Sequence, residues 1–149
     1  MRLLIVDDEK NTRNVLRNFI PWQELGIEEI REAKNGKEAL SIAEEFAPDI
    51  VLSDVRMPMM NGLEFAKTYR LKDENTRFIF LSAYSDREYL KEAIKLRAIS
   101  YVEKPINIAE IKEAVLSATN EIKKLKLHTE NQKEFGYSHL SNSSTCRTT

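Results

Sequence analysis

Three short runs of the chain are apolar without alternation: Leu3-Leu4-Ile5-Val6, Ile50-Val51-Leu52-Ser53 and Phe78-Ile79-Phe80-Leu81-Ser82. Continuous apolar runs of this length belong to strands buried on both faces, the arrangement of a parallel sheet. With two weaker runs they predict strands over 2–6, 27–31, 49–53, 77–81 and 99–102. Between them, apolar positions recur at helical spacing. Asn11 is expected to cap a helix that carries Val15, Leu16 and Phe19 on one face and stops at Pro21. Asn35 and Glu38 have capping-box spacing and open a helix with Ala39, Leu40, Ile42, Ala43 and Phe46, ended before Pro48. Gly62 precedes a third helix with Leu63, Phe65, Ala66 and Tyr69. Ser85 with Glu88 opens a fourth that runs through Leu96, and Asn107 with Glu110 a last one that reaches about Leu127. From Glu130 the chain becomes rich in Ser, Thr and Asn. The expected organisation is therefore one domain over 1–127, its last helix extending toward a linker, and a polar, disordered tail over 128–149. Strands and helices alternating five times predict a doubly wound α/β domain with right-handed crossovers.

Parallel strands bring their C-terminal ends to one edge, where residues distant in sequence share a crevice. Asp7-Asp8 follow the first strand, Asp54 the third, Ser82 ends the fourth, and Lys104-Pro105 follow the fifth. An acidic pair alone is most often a solvated loop feature. Three carboxylates at one sheet edge, however, repel one another unless a cation lies among them, and Mg²⁺, which takes oxygen ligands and keeps some waters, is the natural occupant. Asp54 is then a candidate nucleophile toward phosphorus, with Lys104 as counter-charge to the phosphoryl group and Ser82 as a hydroxyl donor to its oxygens. A lone serine at a strand end is more often a cap or turn residue, so Ser82 draws its weight from these partners.

Composition narrows the classes. The chain has 149 residues, 42% hydrophobic and 32% charged, with a net charge of −1, which suits one globular domain and gives no general attraction to nucleic acid or anionic lipid. Cys146 is the only cysteine, which excludes an internal disulfide and a cysteine zinc site. No run approaches the ~18 apolar residues of a membrane span. Asp7, Asp8 and Glu9 stand where a signal peptide needs its apolar core, so a cytoplasmic location is expected, with no membrane partner. The four glycines, Gly26, Gly36, Gly62 and Gly136, exclude G-x-G-x-x-G and the P-loop. An aspartate-nucleophile phosphatase is expected to carry an acid two residues after the nucleophile, where this chain has Arg56. His128 and His139 lie far from the acids and read as solvated. Met57, Met59 and Met60 read as cover for the core, and no organic cofactor is implied.

Taken together, Asp7-Asp8, Asp54-Val55-Arg56-Met57-Pro58 with Gly62 eight residues after the aspartate, Ser82-Ala83, and Tyr101 three before Lys104-Pro105 resemble a response-regulator receiver domain of a two-component system over roughly residues 1 to 125. Pro21-Trp22-Gln23-Glu24-Leu25-Gly26-Ile27 and Leu81-Ser82-Ala83-Tyr84-Ser85-Asp86 are similar to receivers joined to AraC-type helix-turn-helix DNA-binding domains. The resemblance implies a flavodoxin-like five-stranded sheet of order 2-1-3-4-5. It implies that Asp54 accepts a phosphoryl group from a sensor histidine kinase, that Asp8 and Asp54 ligate Mg²⁺, that Asp7 helps through water, and that the main-chain carbonyl of Arg56 is a further ligand. It also implies that Ser82 moves toward the phosphate while Tyr101 rotates inward, and that the peptide before Pro105 is cis.

On this reading the protein is a signalling phosphoacceptor rather than an enzyme, acting on itself alone by Mg²⁺-dependent phosphorylation and autodephosphorylation. Phosphorylation is expected to reshape the face formed by the fourth helix, the fifth strand and the last helix and to promote a homodimer. DNA would be reached only through an output domain absent from this chain. The alternative is a stand-alone or a phosphorylation-independent receiver-fold interaction module, and the phosphorylation-independent one predicts a degraded acidic site. One departure from the family is Arg97, where a glycine usually ends the fourth helix in a left-handed conformation.

Overall fold

A computed structural model of the chain describes residues 1–88, 91 and 99–141. It contains β1 (Arg2–Val6), α1 (Lys10–Asn18), β2 (Glu29–Ala33), α2 (Gly36–Phe46), β3 (Ile50–Asp54), α3 (Gly62–Arg70), β4 (Arg77–Ser82), a 3₁₀ turn (Tyr84–Asp86), β5 (Ile99–Glu103) and a C-terminal helix (Ile108–Ser141). The fourth helix expected through Leu96 lies largely outside the described residues, and Arg97 wholly so. The strands form one parallel sheet of order β2-β1-β3-β4-β5. This is the doubly wound order that places the crevice outside the C-terminal ends of the central strands.

The apolar runs are buried as their lack of alternation requires. Leu3, Leu4, Ile5, Ile50, Val51, Leu52 and Phe80 are wholly inaccessible to solvent. One cluster links β1, β3 and β4 to α2 and α3 through Leu4, Val51, Phe78, Ala39, Ala43 and Phe65. Phe65 meets Phe78 edge-on at 5.9 Å, and Phe78 stacks on Phe80 at 6.3 Å. Such pairs each add about 0.5–1.5 kcal/mol beyond their buried area.

Helix starts were less legible than strands. Asn11 lies inside α1: Glu9 occupies the cap position without a side-chain bond, and its amide donates to Asp7 Oδ1 at 2.9 Å. Phe19 is 68% exposed rather than packed, since it caps α1 and so leaves the helical register of Val15 and Leu16. Trp22 Nε1 donates to the Leu16 carbonyl at 3.0 Å, which satisfies a helix-end acceptor from a buried ring. Asn35 caps α2 by accepting from the Glu38 amide at 2.8 Å.

In α3 a complete capping box forms: Asn61 Oδ1 accepts from the Glu64 amide at 2.8 Å, and Glu64 Oε1 from the Asn61 amide at 3.1 Å. Asn61→Ala is expected to lower unfolding stability by about 1 kcal/mol and Asn61→Asp to restore most of it, measured by urea titration.

The chain divides into two compact units, Met1–Thr119 and Asn120–Thr149. In the first, Ile111 and Val115 of the C-terminal helix are fully buried, and Asn107 Oδ1 accepts from the Glu110 amide at 3.2 Å. In the second, the helix continues to Ser141, past the end expected near Leu127. Glu121, Lys123, Lys124, Lys126, Glu130, Gln132, Lys133 and Glu134 are good helix formers, so a polar composition there does not by itself break the helix. No helix among the described residues is long and apolar enough to cross a membrane.

Candidate functional site

Asp7 stands one residue past β1, and its amide extends the ladder by donating to the Ala33 carbonyl of β2 at 3.0 Å. That bond turns the side chain inward, and Asp7 is only 1% exposed. Its Oδ1 accepts from the Glu9 amide at 2.9 Å, while its buried Oδ2 has no hydrogen-bond partner. Asp8 is exposed. Asp54 ends β3 itself rather than following it, paired in register with Leu81, and is 8% exposed. Each of Asp7, Asp8 and Asp54 offers an oxygen within 4.8 Å of the others.

Around Asp54 the backbone is tightly held. Ser53 Oγ donates to the Asp54 carbonyl at 2.8 Å, and the Gly62 amide to the Val55 carbonyl at 2.9 Å. Asp54 Oδ1 accepts from the Val55 amide at 2.8 Å and from Lys104 Nζ at 3.1 Å. With Oδ1 anchored by two donors, Oδ2 is left as the oxygen able to form a new bond. Lys104 is bound to the same neighbourhood through its backbone, since its amide donates to the Ser82 carbonyl at 2.8 Å. The Lys104–Pro105 peptide is cis.

Burial and repulsion shift Asp7 and Asp54 upward. Asp7 rises from 3.8 to about 6, mainly because burial disfavours its charge; the Glu9 amide opposes this, and the charges of Asp54 and Asp8 add to it. Burial raises Asp54 as well, against the charge and hydrogen bond of Lys104. For Lys104, burial works against the charged form, but Asp54, Asp7 and Asp86 together outweigh it and the net shift is upward. An unpaired buried carboxylate oxygen, crowded acids and an all-oxygen donor set fit a hard divalent cation such as Mg²⁺.

The other expected site residues are at the same edge or beside it. Ser82 is 1% exposed at the end of β4, whereas Tyr101 on β5 is 46% exposed. The Arg56 side chain reaches the segment after β4: its Nε lies 2.9 Å from Asp86 Oδ1 and its Nη2 donates to the Ser85 carbonyl at 3.2 Å. Met57 and Met60 are partly buried against the core, but Met59 is 74% exposed, because its left-handed backbone, φ 70°, turns it out of the apolar run. Sequence reading missed Ser53 and Asp86. Ser53 is hidden within a strand run, and Asp86 announces itself only by lying three residues after Ala83, the spacing of a side-chain-capped turn.

The family model for the response regulator receiver domain matches residues 3–116. The transcriptional regulatory protein HptR of Staphylococcus aureus strain N315 is 37% identical over 110 residues, covering 74% of this chain and 43% of that protein. The chain thus spans less than half the length of the curated relatives it matches. Among solved structures, a two component transcriptional regulator AraC from Clostridium phytofermentans ISDg is 44% identical with a TM-score of 0.80, covering 83% of this chain and 96% of that one. The REC domain of AraT, a response regulator from Geobacillus stearothermophilus, is 33% identical with a TM-score of 0.78, over 84% of this chain and 97% of that one.

Proposed function

The chain belongs to the response-regulator receiver family, and from that premise we propose that it is a phosphoacceptor whose Asp54 takes a phosphoryl group from a sensor histidine kinase. The observation that carries this reading is the Asp54 carboxylate: Oδ1 is held by two donors, one of them the Lys104 ammonium. In the transfer, Asp54 Oδ2 attacks phosphorus, the P–N bond to the donor imidazole breaks, and the imidazole leaves with its electron pair and takes up a proton from solvent. Asp7, Asp8, Asp54 and the Arg56 carbonyl would hold Mg²⁺. When bound, the cation offsets the charge of the acids and of the incoming phosphoryl oxygens.

Lys104, held at Asp54 before transfer, exchanges one carboxylate oxygen for a phosphoryl oxygen without leaving the site. Ser82, at the neighbouring strand end, donates its hydroxyl to a second phosphoryl oxygen. Tyr101, half-exposed on the same strand layer, then moves inward. The altered surface along β5 and the C-terminal helix promotes a homodimer and drives a transcriptional output through a DNA-binding domain outside this chain. The protein acts in the cytoplasm as a signalling acceptor rather than a turnover enzyme.

Incubation with acetyl phosphate tests the reading by intact mass. One acid-labile phosphoryl group is expected with Mg²⁺ and none in EDTA, and Asp54→Asn is expected to gain none. Equal uptake by Asp54→Asn would sink the assignment.

A further inference from the structure

One cation near the site has a partner that phosphoryl chemistry does not explain. Arg56, two residues after Asp54, reaches across to the segment that follows Ser82. Asp86 is 3% exposed, and its two oxygens do different things. Oδ2 accepts from the Ala83 amide at 2.8 Å. Oδ1 lies 2.9 Å from Arg56 Nε but accepts no hydrogen bond there, so the contact is an attraction of charges without alignment. Arg56 Nη2 donates an aligned bond to the Ser85 carbonyl at 3.2 Å.

These contacts close a ring. Asp54 is tied to Lys104 by its side chain, Lys104 to Ser82 by its amide, and Ala83 to Asp86 by the turn. Asp86 meets Arg56, which leads back along the chain to Asp54. A buried carboxylate needs its counter-charge, so Arg56 favours the position of the Ser82–Asp86 segment in which Asp86 stays next to it. A phosphoryl group on Asp54 that draws Ser82 to it would shift this segment and so disturb the contact between Asp86 and Arg56. Two contacts that compete for one short segment make a two-state element whose balance either contact shifts.

Resting on the phosphoacceptor reading, we propose that the Arg56–Asp86 ion pair is a latch that holds the Ser82–Asp86 segment in its resting position. Arg56 is thus a positioning residue that sets how readily Ser82 reaches the phosphoryl group. Asp86→Asn keeps an oxygen for the Ala83 amide and removes only the charge, and Arg56→Gln removes the other partner.

Titration with beryllofluoride and Mg²⁺, a stand-in for the phosphoryl group, is the first measurement. Each single variant is expected to bind about fivefold more tightly than the parent, the scale of a partly exposed ion pair. The double variant should gain no more than either single one, because both remove the same interaction. Arg56→Lys, which keeps the charge, should return most of the parent affinity.

Amide exchange at Ala83 in the ligand-free protein is the second measurement and does not depend on phosphoryl binding. Both single variants are expected to speed it. Unchanged exchange overturns the latch, as do additive gains in the double variant or weaker binding on loss of Arg56. Asp54→Asn keeps the two readings apart: if it binds beryllofluoride as the parent does, the phosphoacceptor reading fails, while the Ala83 exchange still decides the latch.

Discussion

Replacing Gly62 with alanine is expected to destabilise the protein by about 3 kcal/mol or more, the upper range for overpacking a buried site. A Cβ at this position would lie 2.2 Å from the Asp54 carbonyl oxygen, 2.9 Å from Ser53 Oγ and 3.1 Å from a ring carbon of Phe80. The nearest of these is backbone in a central strand, so relief requires α3 to retreat or the end of β3 to shift. Alanine improves helix propensity by about 1 kcal/mol at most, and less in a first turn, so the overlap dominates. Since the displaced atom belongs to Asp54 itself, phosphoryl uptake should fall along with stability. Urea unfolding and acetyl phosphate labelling of the same variant check both. An unchanged unfolding midpoint would show that the approach of α3 to Asp54 is not tight.

Asp7→Asn is expected to act in the opposite direction on the metal-free protein. The folded-state value of about 6 lies above the ordinary 3.8, so the sign is that of a group that prefers to be neutral when folded. Its stabilising contribution is complete below pH 3.8, where both states are protonated, and is lost as the pH rises through about 6. Above that, both states are ionised and the folded state alone carries the cost of a buried charge. The interval corresponds to about 3 kcal/mol. In EDTA at pH 7.5, asparagine should therefore stabilise by up to about 3 kcal/mol, and the gain over the parent should shrink toward zero near pH 4. With Mg²⁺ the parent should gain stability by mass action and the variant little. Urea titrations at both pH values, with and without Mg²⁺, read all four cases. Destabilisation by Asp7→Asn in EDTA at pH 7.5 would mean that the carboxylate is satisfied by something other than a cation.

The acidic edge carries a cost to the fold that a site built for stability alone would avoid. Residues that pack the core could replace Asp7 only by giving up the donor set, and Ser53, Gly62 and the Glu9 amide hold the acids in place from behind. The latch adds a second layer, because it ties the loop after β3 to the turn after β4 through a contact of charge rather than shape.

What was legible in the sequence follows from short-range physics. The buried strands could be read because a parallel sheet covered on both faces admits only apolar residues, and β1 was placed over its observed range. Once strand and helix alternate, the right-handed crossover allows few topologies, and Asp7, Asp8, Asp54, Ser82 and Lys104 must meet at one edge. The cap at Asn35 was legible for the same reason, as it depends only on residues three apart.

Tertiary structure decided the rest. Glu9 rather than Asn11 stands at the start of α1, with its amide on the Asp7 carboxylate. The exposure of Phe19 and Met59 depends on where a helix ends and on one left-handed residue, neither of which periodicity reports. Pairings across strand ends, Lys104 with Asp54 over 50 positions and Arg56 in the loop after β3 with Asp86 in the turn after β4, join residues whose side chains have many possible partners. Sequence alone determined which groups share the sheet edge, because burial and chain direction leave no other place for them. Which oxygen is held, which is left open and which cation holds which acid was settled only by three-dimensional packing, since those choices turn on distances of a few ångströms between segments that local sequence does not couple.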